Sequence, residues 1–127
     1  MTRHAVTTTG APSAIGPYSQ GIVSGDLVFC SGQLGLDPAT GELVEGGVEA
    51  QTERALRNLA SVLDAAGASI ADVVKTTIFL ADIADFAAVN AVYARHMPDP
   101  APARSTFAVG ALPKGGLIEV EAIARRG

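Results

Sequence analysis

Arg104 opens the run Arg104-Ser105-Thr106-Phe107, and its guanidinium is the side chain best shaped to hold a carboxylate, because two parallel hydrogen bonds fix orientation as well as charge. Further along, Glu119 and Glu121 alternate with Ile118, Val120 and Ala122. A strand there puts both carboxylates on one face, roughly 7 Å apart, and either can act as a general base on a water within hydrogen-bond reach. Each residue also has a plainer reading. Arginines are commonly surface or structurally paired, and alternating glutamates commonly form the solvated face of a strand.

Four further positions carry polar chemistry in unusual settings. Asn90 falls on the same helical stripe as Phe86 and Tyr93, where a buried amide needs partners; it either ties helix to sheet or points into a cleft. Tyr18 follows Gly16-Pro17, a segment that cannot be regular helix, so its ring either packs in the core or walls a cleft with its hydroxyl available. Ser31-Gly32 lies in a strand, where the missing side chain of Gly32 marks a bulge or a place where a ligand nears the backbone. Thr106, two residues beyond Arg104, shares its strand face. Cys30 reads as a buried small apolar residue and not as a nucleophile.

Other chemistries lack their motifs. The chain has no glycine-rich dinucleotide fingerprint, no phosphate loop ending in Gly-Lys-Ser/Thr and no Gly-x-Ser-x-Gly elbow. His4 and His96 are the only histidines, and neither has the spacing of a metal ligand with the other or with Cys30, so no metal is expected. The formal net charge is −4 with dispersed lysines and arginines, so no nucleic-acid partner is expected. A single cysteine and an N-terminal stretch without a signal-like apolar core lead to the expectation of a cytoplasmic protein. No apolar run approaches the roughly 20 residues that cross a bilayer, so no membrane partner is expected either.

The elements that must position these residues can be read from periodicity. Residues 20–24 and 27–34 read as strands joined by a tight turn at Gly25-Asp26, and Asp37-Pro38 through Gly41 as a second turn. Val48 to Ala66 has helical spacing, closed by Gly67. Val73 to Leu80 is apolar on both faces, as an interior strand would be. Asp82 caps a second helix to about Met97, with Phe86, Val89, Tyr93 and Met97 on one stripe. Strands at about 104–110 and 117–125 follow, separated by Pro113-Lys114-Gly115-Gly116 and read as a closing hairpin.

The 127 residues suit one domain, 1–127, of α+β class: a mixed sheet with both helices on one face. Hydrophobic residues make up 48% of the chain and charged residues only 17%. With helices on one side and strands apolar on both, the other sheet face needs a cover, and self-association in a closed ring supplies one.

Pro102-Ala103-Arg104-Ser105-Thr106-Phe107, Leu112-Pro113-Lys114 and Ile118 to Ala124 together resemble the signature of the Rid (YjgF) family. Ile15-Gly16-Pro17-Tyr18-Ser19-Gln20-Gly21, Ser31-Gly32-Gln33, Val74-Lys75-Thr76-Thr77 and Phe86-Ala87-Ala88-Val89-Asn90 extend the match in the same order across nearly the whole chain. The resemblance implies a chorismate-mutase-like fold, a homotrimer with clefts between subunits, and cofactor-independent hydrolysis of 2-imino acids to 2-oxo acids and ammonia. It assigns Arg104 to the substrate carboxylate and Glu119, in preference to Glu121, to the attacking water. Tyr18, Ser31, Gly32, Asn90 and Thr106 complete the implied substrate site. The resemblance leaves open two other roles for the same clefts: hydrolysis of another small imine or amide-like metabolite, and ligand binding without turnover. Thr106 stands where many RidA proteins carry cysteine, which excludes a thiolate there. The connection from Met97 to Pro102 looks shorter than in many relatives, which bears on the size of substrate accepted.

Overall fold

The structure, a computed structural model, describes residues 2–127. Six strands form one sheet: β1 (Arg3–Val6), β2 (Gly21–Ser24), β3 (Leu27–Leu34), β4 (Val73–Leu80), β5 (Ala103–Ala108) and β6 (Ile118–Arg125), in the order β1-β2-β3-β6-β4-β5. Two helices, α1 (Gly47–Ala65) and α2 (Phe86–His96), pack on one face and against each other. Gly25, at φ 62°, makes the tight turn between β2 and β3, and Gly67, at φ 80°, follows the last turn of α1, as glycine does at helix ends.

The expected closing hairpin is not formed. β5 runs parallel to β4 at the sheet edge, while β6 inserts antiparallel between β3 and β4. The physical reason lies in β4, whose buried Ile78 and Leu80 are best served by neighbours on both sides, and a parallel β5 reached through α2 supplies the second. The sequence reading also passed over β1, a four-residue edge strand of which only Val6 is buried.

Leu56, Leu59, Val62 and Leu63 of α1 form one core with Val89, Val92 and Tyr93 of α2 and with Val28, Ile78, Ile118 and Val120 of the sheet. The stripe expected on α2 is shifted: Val92 joins it, while Phe86 remains partly exposed and Met97 falls just past the helix. Asp82 caps a short 3-10 turn (Ile83–Asp85) that leads into α2, its carboxylate accepting from the amide of Ala84.

On the face away from the helices, Phe29 is 41% and Phe107 45% exposed. The Phe107 ring meets Phe79 edge to face at 5.3 Å. Among the described residues no helix is long and apolar enough to cross a membrane.

Candidate active site

The residues singled out in the sequence fall into two groups. The first is built around the loop before β2. Gln20, buried, accepts from the amide of Thr8 and donates to the carbonyls of Thr8, Ala11 and Pro12. Ser31 fastens the same loop from β3: its amide donates to the carbonyl of Gln20 and its hydroxyl to that of Ser19. The Ser31 proton is thus committed to the backbone, and its oxygen retains lone pairs for a donor. The loop presents Tyr18, 54% exposed, whose hydroxyl accepts from the amide of Ile15 at 3.4 Å.

Between Cys30 and Gln33 the pairing of β3 with β6 slips, and the irregularity brings Gly32 against Glu119. A Cβ at position 32 would collide with the Glu119 carboxylate, so any larger residue there would displace that side chain from its present position. Glu119 has no hydrogen-bond partner among the described residues. Burial first, and the like charge of Glu121 second, raise its pKa above the ordinary glutamate value, which makes it a stronger proton acceptor than an ordinary glutamate. Tyr18, Gly32 and Glu119 line one cavity of about 550 Å³. Glu121 is exposed on the same strand and acts on Glu119 through its charge.

The second group lies where β5 meets α2. Arg104 pairs in register with Thr76, and Thr106 with Ile78, so both face the helices. The Arg104 guanidinium lies over the rings of Tyr93, at 4.9 Å, and Phe86, at 5.6 Å. Stacking leaves its in-plane N–H groups available, and among the described residues no carboxylate pairs with it. Tyr93 is itself fixed by a 2.6 Å hydrogen bond between its hydroxyl and that of Thr76. Thr106 Oγ1 is buried with no hydrogen-bond partner among the described residues, an unsatisfied group that calls for an explanation. Asn90 sits half-buried between Phe86 and Tyr93 on the same stripe and has no hydrogen bond among the described residues.

Sequence reasoning placed Tyr93 and Phe86 in a core stripe and missed their second role as the bed for Arg104. Aromatic residues flanking a polar one at helical spacing were the available signal. It also missed Gln20 as the anchor of the Tyr18 loop, because nothing in the local pattern marks that glutamine as buried. Cys30 is buried as expected, and desolvation pushes its thiol up to about 12. No group of three or more His, Cys, Asp or Glu suited to a metal occurs among the described residues.

Residues 8–126 match the family described as Endoribonuclease L-PSP. The chain belongs to that family. The Rid (YjgF) resemblance read from the sequence is the same relationship. Among L-PSP relatives, the chain is 54% identical over 122 residues to Reactive Intermediate Deaminase A, chloroplastic, of Arabidopsis thaliana, covering 96% of this chain and 65% of that protein. It is 50% identical over 127 residues to 2-iminobutanoate/2-iminopropanoate deaminase of Capra hircus, covering 100% of this chain and 93% of that one. Among solved L-PSP structures, E. coli TdcF with bound serine superposes with a TM-score of 0.92 at 41% identity, covering 98% of this chain and 99% of that one.

Proposed function

We propose that the chain hydrolyses 2-imino acids to 2-oxo acids and ammonia; the Capra hircus relative is named as a deaminase of 2-iminobutanoate and 2-iminopropanoate, and the Arabidopsis one as a deaminase of reactive intermediates. The observation that carries this reading is the Arg104 guanidinium, held on two aromatic rings and, among the described residues, paired with no carboxylate, beside the Thr106 hydroxyl that has no hydrogen-bond partner among them. Such a pair receives the carboxylate and the adjacent imine nitrogen of one small acid. The serine bound to TdcF is a ligand of the same kind, a small amino acid.

Arg104 and Glu119 lie on opposite sheet faces, so the reading includes assembly. In a closed homotrimer, the β5–α2 corner of one protomer meets the Tyr18–Gly32–Glu119 cavity of the next, and the apolar face with Phe29, Phe79 and Phe107 is covered between them. In that cleft Arg104 orients the substrate, and Glu119 takes a proton from water as its oxygen bonds to the imine carbon. That proton passes to nitrogen, giving a carbinolamine; its hydroxyl proton then passes through Glu119 to the amine, and as the O–H electrons form the C=O bond the C–N bond breaks and ammonia leaves with the 2-oxo acid formed. Every group in the sequence comes from the protein or the solvent.

The endoribonuclease in the family description finds less support. A net charge of −4 and two carboxylates on the β6 face disfavour a polyanion. The cytoplasm is the proposed location, consistent with a free, buried Cys30; the Arabidopsis relative is chloroplastic, so location varies among relatives. The deciding experiment is an imine-hydrolysis assay with 2-aminoacrylate generated by a dehydratase. Wild type accelerates 2-oxo acid release saturably, and Arg104→Ala does not; equal kinetics for the two would remove the clamp.

A further inference from the structure

The cavity beside Glu119 is far larger than the reacting atoms need. At about 550 Å³ it exceeds several times the roughly 150 Å³ of an apolar cavity that holds a benzene ring. Beyond Tyr18, Gly32 and Glu119, its apolar walls include Ile15, Leu36, Pro38, Ala39 and Pro113, with the neutral polar Ser13, Gln20, Gln33 and Thr40 and one cation, Lys114, among them. That cation also braces the rim. Lys114 adopts a left-handed backbone conformation, φ 59°, and donates its ammonium to the carbonyl of Gly41 at 2.9 Å. It thereby straps the 37–41 turn to the 112–116 turn.

Both rims are held in place before any ligand arrives. Asn58, fully buried in α1, donates to the carbonyls of Leu34 and Leu36, and Gln51 accepts from the amide of Leu117 at 2.9 Å. The 37–41 turn is closed by the Gly41 amide on the Asp37 carbonyl, at 2.7 Å. A preformed, mostly apolar space next to a polar reacting centre is a side-chain pocket.

We infer that this space is the substrate's side-chain subsite and that it selects large apolar groups, branched or aromatic, over the methyl group of an alanine-derived imine. The inference rests on the imine-hydrolase reading and deepens it. A carboxylate side chain is disfavoured because it would share the cavity with the Glu119 carboxylate and give up its hydration against walls that are mainly apolar.

The test uses imines made in situ by an L-amino-acid oxidase from alanine, leucine, phenylalanine and glutamate, with uncatalysed hydrolysis as the baseline. One methylene in an apolar pocket discriminates by about tenfold or more, so the leucine and phenylalanine imines are expected to exceed the alanine imine in kcat/KM by at least about tenfold, with glutamate lowest. Ala39 is exposed, so Ala39→Trp adds bulk to the cavity wall at little cost to folding, and it is expected to lower the leucine-to-alanine ratio about tenfold. Ile15→Trp, at a position that is 78% exposed, gives a second filling variant. A flat side-chain profile, or a ratio unmoved in both variants, overturns the subsite while leaving the hydrolase reading intact; a neighbouring protomer's chain filling the cavity would give that result. Failure of wild type to accelerate any of the four imines overturns both.

Discussion

Arg104 and Glu119 stand on opposite faces of one sheet. Arg104 pairs with Thr76, whose hydroxyl meets Tyr93 on the helix side. Glu119 pairs with Phe79 and lies between Ile118 and Val120, both buried toward the helices, so its own side chain points the other way. A clamp on one face and a base on the other cannot act on the same small molecule within one chain, so the proposed reaction requires two chains side by side.

Complementation between variants checks this arrangement. Arg104→Ala and Glu119→Gln are each expected to retain under about 1% of wild-type kcat/KM. Random mixed trimers from equal amounts of the two rebuild a site wherever an intact arginine meets an intact glutamate on the next chain, which restores about a quarter of wild-type activity. Mixed assemblies no more active than either parent would place both groups in a single chain's site.

Tyr93 combines two tasks that substitution can separate. Tyr93→Phe keeps the ring under Arg104 but leaves the fully buried Thr76 hydroxyl without a partner, which costs about 1–3 kcal/mol. Urea denaturation should record that loss with KM little changed. Tyr93→Leu removes the ring as well, and KM should rise about tenfold as the guanidinium loses its bed.

How far the sequence revealed this site depended on whether an element's face could be read locally. The hairpin at Gly25, helix α1 with its glycine stop, and the burial of Cys30 all follow from short-range pattern. The side on which Arg104 lies does not, because Arg104, Ser105 and Thr106 are polar in succession, so no apolar alternation names the inward face, and β5 takes its face from its parallel register with β4. The same long-range pairing explains why β5 and β6 looked like a hairpin: adjacency in sequence hid the insertion of β6 between β3 and β4. Glu119 was legible as a strand carboxylate, but its contact with Gly32 depends on a pairing slip between distant strands.

The pH profile should carry the signature of Glu119. Burial, reinforced by Glu121, raises its pKa above the ordinary glutamate value, so the proton-accepting form is lost at a higher pH than usual as the solution is acidified. The acidic limb of kcat/KM, which reports the free enzyme, is therefore expected above the ordinary glutamate range. Glu121→Gln removes a like charge, stabilises the ionised Glu119, and should move that limb to lower pH. A limb shifted upward, or unmoved, would assign the titration to another group.

Cys30 is expected to be inert in the native protein. With its thiol pushed up to about 12 by burial, roughly one molecule in 100,000 carries the thiolate at pH 7. Iodoacetamide should leave native protein unmodified by mass, with activity intact, and should label it once urea unfolds the chain. Labelling at the rate of a free thiol in buffer would show that β3 opens readily.

Gln20 provides the sharpest test of how the Tyr18 loop is held. Its side chain makes four hydrogen bonds to the backbone of residues 8–12, and Gln20→Ala leaves those groups in a site only partly open to water. The expected loss is about 1–3 kcal/mol, read by urea denaturation. The loop that this anchor holds also carries Tyr18, and Ser31 secures only its far end, through Ser19 and Gln20. Partial loosening should therefore raise KM for the imine more than it lowers kcat, because the cleft wall becomes mobile while Glu119 and Gly32 remain seated in the sheet. A variant destabilised to the stated extent but with unchanged KM would separate the loop's anchoring from substrate binding.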